Sequence, residues 1–123
     1  MELNGLIDHT NLKQNATAED IKKLCAEARE YHFKTVAINS CWTTLAHKEL
    51  EGSGVGITTC IGFPLGACST AAKVAEAKQA VVDKTTEIDM VINGGHLVAG
   101  DDDYVIADIK AVVEAAGTIP VKV

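Results

Sequence analysis

The chain has 123 residues, 47% hydrophobic and 23% charged, which is enough apolar material for one domain with a core. A formal net charge of −6 argues against a nucleic-acid surface, which needs clustered Lys and Arg. No apolar stretch is long enough to cross a bilayer and no secretory pattern opens the chain, so the expectation is a cytoplasmic protein with neither a nucleic-acid nor a membrane partner.

Leu6 to Thr10 is a short apolar run closing in polar groups and reads as a first strand. Thr17-Ala18-Glu19-Asp20 has the form of a capping box. Ile21, Leu24, Cys25, Ala28 and Tyr31 then recur at i, i+3, i+4, i+7 and i+10, one face of a helix. Thr35 to Asn39 fits a buried strand, and Trp42 to Leu50 a second helix closed by Gly52 and Gly54. Val55 to Phe63 reads as a third strand running into Gly62-Phe63-Pro64-Leu65-Gly66, a turn signal. Ser69 or Thr70 caps a helix reaching about Asp83, with Val74, Ala77 and Val81 facing inward. Glu87 to Asn93 is a fourth strand. The acidic run Asp101-Asp102-Asp103 reads as a solvated loop before a helix over Tyr104 to Ala116. That helix carries Val105, Ile109, Val112 and Val113 as apolar positions and Gly117 as its stop, and Ile119 to Val123 opens a fifth strand.

Strands alternate with helices and are apolar throughout, the pattern of a parallel sheet covered by helices. Four βα units and the start of a fifth strand fit half of a (β/α)8 TIM barrel better than a doubly wound sheet. No G-x-G-x-x-G follows the first strand, which weakens the doubly wound alternative. The expected fold is α/β: one partial barrel domain over residues 1–123.

Three charged residues break the apolar strands: Asp8, Asp89 and Lys122. A charge inside an apolar strand is costly unless paired, so each is a structural ion-pair member, a strand-end residue that reaches solvent, or part of a site. Inward-facing side chains of a barrel meet, so the three are expected to form one polar cluster at the barrel mouth, suited to proton transfer. The Gly62–Gly66 segment either only turns the chain or shapes the floor of a substrate pocket. His9 and Asp8, being adjacent in a strand, point to opposite faces. His32 and His47 read as solvated helical positions, and His96 sits in a Gly-rich loop with no evident partner. Cys25, Cys41, Cys60 and Cys68 form no C-x-x-C pair and have no zinc-finger histidines, so they read as reduced structural thiols and no metal is expected.

Ile7-Asp8-His9-Thr10 with Leu12-Lys13, Gly62-Phe63-Pro64-Leu65-Gly66-Ala67, Glu87-Ile88-Asp89-Met90-Val91-Ile92-Asn93 and Val121-Lys122-Val123 together resemble the deoxyribose-phosphate aldolase family, in its order and at its spacing. The resemblance implies a TIM barrel that reversibly cleaves 2-deoxy-D-ribose 5-phosphate to acetaldehyde and D-glyceraldehyde 3-phosphate, with no cofactor or metal. It implies class I chemistry through a lysine Schiff base. Asp89 matches the family's proton-relay aspartate, and Asp8 and Lys122 match charged residues of the supporting network. The family's Schiff-base lysine lies on a later strand, in a Lys-Thr-Ser-Thr-Gly type segment that this sequence does not contain. Lys122 matches a different position. Asn93-Gly94-Gly95-His96 and Ser40-Cys41 also depart from the usual family segments.

The sequence-level expectation is therefore a truncated aldolase, inactive by itself, with Val123 stopping inside a strand. Exposed sheet edges and an exposed inner apolar face would favour a homo-oligomer. The alternative is a non-catalytic half-barrel assembly module.

Overall fold

The computed structural model describes residues 3–123. Five parallel strands lie in the order β1-β2-β3-β4-β5: Asp8–Asn11, Thr35–Asn39, Gly56–Ile61, Glu87–Met90 and Val121–Lys122. Five helices connect them: α1 Ala18–Glu30, α2 Thr43–Leu50, α3 Thr70–Val82, α4 Gly94–Val98 and α5 Asp102–Ala116. Each strand pairs with the next in sequence, and every connection passes over one face. That is half of a (β/α)8 barrel, and the reversal of strand order a doubly wound sheet requires is absent among the described residues.

Alternation within the strands sorts the side chains. Val36, Ile38, Ile57, Ile61, Ile88 and Met90 face the helices and are buried. One core cluster joins Val36, Ile38 and Ile57 to Ile21, Leu24, Cys25 and Ala28 of α1 and to Ala46 and Leu50 of α2. The other joins Ile61, Ile88 and Met90 to Ala77 of α3 and to Val112 and Ala116 of α5. Thr59 also points to the helix side, where its hydroxyl meets those of Thr43 and Thr85 at 2.9 and 2.8 Å.

The opposite, concave face is not apolar, which corrects the sequence expectation. Asp8, Thr35, Thr58, Glu87 and Lys122 bond to one another across it. A period-2 strand presents its polar and apolar residues to opposite sides, so polar residues among many apolar ones gather on one face. A flat five-stranded sheet would hold its edge strands about 19 Å apart. The 2.6 Å contact between Lys122 on β5 and Asp8 on β1 therefore requires a strongly curled sheet.

Local chemistry sets most element boundaries. Thr17 and Asp20 form the expected capping box of α1: Thr17 Oγ1 accepts from the Asp20 amide, and Asp20 Oδ2 accepts from the Thr17 amide. Ser69 caps α3. Asp101, read from sequence as loop, instead caps α5, and Asp102 and Asp103 occupy its first turn, where the helix dipole favours negative charge. Leu6 is not in a strand. It closes a short 3-10 turn over Leu3–Leu6 and is exposed, so β1 starts later and reads Asp-His-Thr-Asn. Tyr31 likewise lies outside the buried face of α1 and serves as its C-cap.

Candidate active site

The concave face is organised around one ammonium. Lys122 Nζ lies 2.6 Å from Asp8 Oδ2, 2.7 Å from Glu87 Oε1 and 3.9 Å from Asp89 Oδ2. Three strands thus meet on a single cation: β1 supplies Asp8, β4 supplies Glu87 and Asp89, and β5 supplies Lys122 itself. Lys34 Nζ, at the entrance to β2, donates to the other Glu87 oxygen at 3.3 Å. The Thr35 hydroxyl donates to Asp8 Oδ1 at 2.7 Å and stands 2.9 Å from the Thr58 hydroxyl. Each hydroxyl has one proton, so with Thr35 donating to Asp8, Thr58 donates to Thr35, and its 3.4 Å approach to Glu87 is the weaker contact. A row of dipoles then points at Asp8.

These contacts fix protonation states. Burial opposes ionisation of Asp8, but hydrogen bonds from Lys122 and Thr35 outweigh it and hold the carboxyl below its ordinary value. Burial also opposes ionisation of Glu87, and Lys122 and Lys34 overcome it in the same way. Burial disfavours the Lys122 ammonium, yet its bonds to Asp8 and Glu87 raise its pKa well above the usual lysine range. Lys122 is a locked cation. An amine must be neutral to attack a carbonyl, so this geometry does not suit Lys122 to imine formation.

Asp89 differs from its neighbours. Its side chain is 42% exposed, its nearest cation contact is the 3.9 Å one, and it opens onto a cavity at the C-terminal end of the strands lined by Leu12, Cys60, Phe63 and Val123. The Cys60 thiol beside it is pushed up to about 11, by burial and then by the Asp89 charge, and so stays protonated. In parallel α/β folds the C-terminal end of the strands is where reacting groups gather.

The Gly62–Gly66 turn contributes Phe63 to this cavity and, with Pro64 and Leu65, one wall of a second one against α3. The turn is held from two sides. Glu76 of α3 accepts from the Gly62 amide at 2.8 Å and from the Ser40 hydroxyl at 2.6 Å, tying the ends of β2 and β3 together. Gly66 has φ +64°, and a Cβ there would lie 2.1 Å from the Ile92 carbonyl oxygen, so only glycine fits. Beneath the turn, Lys73 of α3 and Asp108 of α5 form a wholly buried ion pair at 2.6 Å, with the Thr70 hydroxyl on the second Asp108 oxygen at 2.7 Å.

The three charged residues singled out in the sequence, Asp8, Asp89 and Lys122, thus come together on one face. Glu87 and Lys34 were missed. Glu87 has the same strand parity as Asp89, which was the available signal. His9 points away from Asp8 to the helix layer, 2.8 Å from Glu27 Oε2, as its position in the strand requires. His96 does have partners, contrary to expectation: Asp101 Oδ2 at 2.8 Å and the Tyr104 ring, stacked at 3.5 Å between centroids. His32 lies beyond α1 in a left-handed conformation (φ 52°), not on a helix. Cys25 and Cys60 are buried, Cys41 and Cys68 exposed. Among the described residues no group of three His, Cys, Asp or Glu side chains is placed to hold a metal ion, and no helix is long and apolar enough to cross a membrane.

No family model matches the chain. Its similarity to individual proteins is extensive. It is 56% identical over 116 residues to a deoxyribose-phosphate aldolase of Clostridium novyi, covering 94% of this chain and 52% of that one. It is 52% identical to deoxyribose-phosphate aldolase 1 of Mesoplasma florum (99% and 56% covered) and 50% identical to the Mycoplasma mycoides enzyme of the same name (100% and 63%). The chain therefore spans roughly half to three-fifths of the length of these curated relatives. Among solved structures, a Coccidioides immitis protein described as a deoxyribose-phosphate aldolase superposes with a TM-score of 0.95 at 41% identity, over 97% of this chain and 47% of that one. The tetrameric deoxyribose phosphate aldolase of Aeropyrum pernix gives 0.81 at 28%, over 97% and 51%.

Proposed function

Because the chain belongs to the deoxyribose-phosphate aldolase family, we propose that it forms part of an enzyme that reversibly cleaves 2-deoxy-D-ribose 5-phosphate to acetaldehyde and D-glyceraldehyde 3-phosphate. In this reading Asp89 is the proton-relay carboxylate, and Asp8 and Lys122 belong to the charged network that supports it. The observation that carries the assignment is the contrast on the concave face. Asp8 and Glu87 are spent on Lys122, whereas Asp89 faces the open cavity without a short ion pair. A base must be free to take a proton, and only Asp89 of the three is.

The Schiff-base lysine would come from outside these 123 residues. The two lysines that reach the concave cluster, Lys34 and Lys122, are both bound to carboxylates, and Lys73 is buried against Asp108. The 123-residue chain alone is accordingly expected to have no retro-aldol activity. Incubation with deoxyribose 5-phosphate and borohydride should leave its mass unchanged. An adduct on Lys122 would overturn this part of the reading. In a full-length enzyme carrying this segment, acetaldehyde release, coupled to NADH oxidation by an alcohol dehydrogenase, should be present and should collapse in Asp89→Asn. Retained activity in that variant removes the role given to Asp89.

The unpaired outer edges of β1 and β5 support association of the isolated chain with itself. Sedimentation at micromolar concentration is expected to show an oligomer; a well-folded monomer of 13.0 kDa would exclude it.

A further inference from the structure

Asp89 and Lys122 are register partners on adjacent strands, with their side chains on the same face. Opposite charges so placed ordinarily pair with each other. Here that pair is the longest of three: the ammonium stops 3.9 Å from Asp89 and makes its short contacts with Glu87 at 2.7 Å and Asp8 at 2.6 Å. Glu87 sits two residues before Asp89 on the same face of β4, deeper in the structure, with 10% of its side chain exposed against 42%. Lys34 holds its second oxygen, so the carboxylate is anchored in the orientation that meets Lys122. Cys60, the remaining titratable neighbour, is protonated and offers the ammonium no charge.

We propose that Glu87 is a positioning residue: it draws Lys122 inward and away from its lateral partner, and so keeps the Asp89 carboxylate uncommitted at the mouth. This rests on the reading that Asp89 is the carboxylate that exchanges protons. A carboxylate tied to an adjacent ammonium has its lone pairs occupied and is a poorer proton acceptor. Asp8 contributes from the far edge, but Glu87 is on the same strand as Asp89 and competes with it directly for one cation.

The test is carbodiimide activation of carboxylates in the native chain, trapped with an amine and read residue by residue by mass spectrometry. In the unmodified chain Asp89 should label ahead of Asp8 and Glu87. In the near-isosteric Glu87→Gln, Lys122 is released toward Asp89, and Asp89 labelling should fall toward that of Asp8. In Glu87→Gln combined with Lys122→Met that fall should vanish, because the effect acts through the ammonium. Asp89 protected in the unmodified chain, unchanged in Glu87→Gln, or equally diminished without Lys122 would each overturn the proposal. Should Glu87→Gln lose its native circular dichroism, Lys122→Met alone decides. Glu87 labelling should then rise and Asp89 labelling stay, and the reverse result overturns the proposal. None of these readouts involves aldol cleavage, so failure here leaves the aldolase reading standing, and failure of Asp89→Asn in the full-length enzyme leaves the ion-pair assignment standing.

Discussion

Lys122 and Asp8 touch at 2.6 Å although they lie 114 residues apart, on opposite edges of a five-stranded sheet. The contact closes the concave face, and it makes the stability of the whole half barrel sensitive to pH.

Asp8 and Glu87 have folded-state values below their ordinary 3.8 and 4.5, so they contribute stability above those values and lose it as pH falls through the depressed ones. Lys122 is raised above its ordinary 10.5, so its contribution is complete below that pH and is lost as pH rises through the elevated value. The cluster should therefore give a stability plateau bounded by about pH 4.5 and 10.5. Urea midpoints measured from about pH 7 down to about pH 3 should fall in the unmodified chain and fall less in Lys122→Met, which has already lost the pairing. Parallel acid limbs in the two proteins would show that the cluster does not govern acid sensitivity.

The buried pair of Lys73 and Asp108 makes a second expectation. Lys73→Met alone leaves the Asp108 charge buried with only the Thr70 hydroxyl, and should destabilise by about 3–5 kcal/mol. Lys73→Met with Asp108→Leu removes both charges and should recover most of that loss. Denaturant titrations of the single and double variants measure the difference. Additive losses would mean that the two side chains are not coupled.

Gly66→Ala should cost about 1–3 kcal/mol, because its left-handed backbone and the Ile92 carbonyl leave no room for a methyl group. Gly52→Ala is the useful control. It shares the left-handed conformation (φ +72°), but its Cβ meets nothing within 4 Å, so the excess loss at Gly66 reports the close approach itself. Equal thermal midpoints in the two variants would show that the contact with Ile92 relaxes without cost.

The repeat of strands and helices was legible because burial imposes a period on apolar residues, and that period survives in the sequence from α1 to α5. The concave face was only partly legible. Asp8, Asp89 and Lys122 stood out as charges inside apolar runs, but Glu87 opens β4 and looks like an ordinary strand-end residue until its parity with Asp89 is considered. Lys73 and Asp108 were not legible as core residues because each is a charge standing on an otherwise apolar helix stripe. Lys73, Ala77 and Ala80 are spaced i, i+4, i+7, and Val105, Asp108, Val112 and Ala116 also line one stripe, so each charge lay on the buried side. Val74 and Val81, expected inward, are only half-buried, and Val113 is exposed. Helix α4 left no periodic trace: five residues beginning Gly94-Gly95 depend on the Asn93 cap for their start. At β1 the apolar Leu6 and Ile7 attracted the strand assignment, whereas the ladder with β2 begins at Asp8.

The neighbour-by-neighbour order of the sheet has a consequence for synthesis. Each strand that leaves the ribosome finds its pairing partner already made, immediately before it in the chain, so the half barrel can assemble as it emerges. The charges do not follow that schedule. Asp8 appears first and waits while 114 further residues are added, the last of them Lys122. Until then the nascent sheet carries Asp8, Glu87 and Asp89 on one face without the cation on which they converge, and its curl is completed only when β5 arrives.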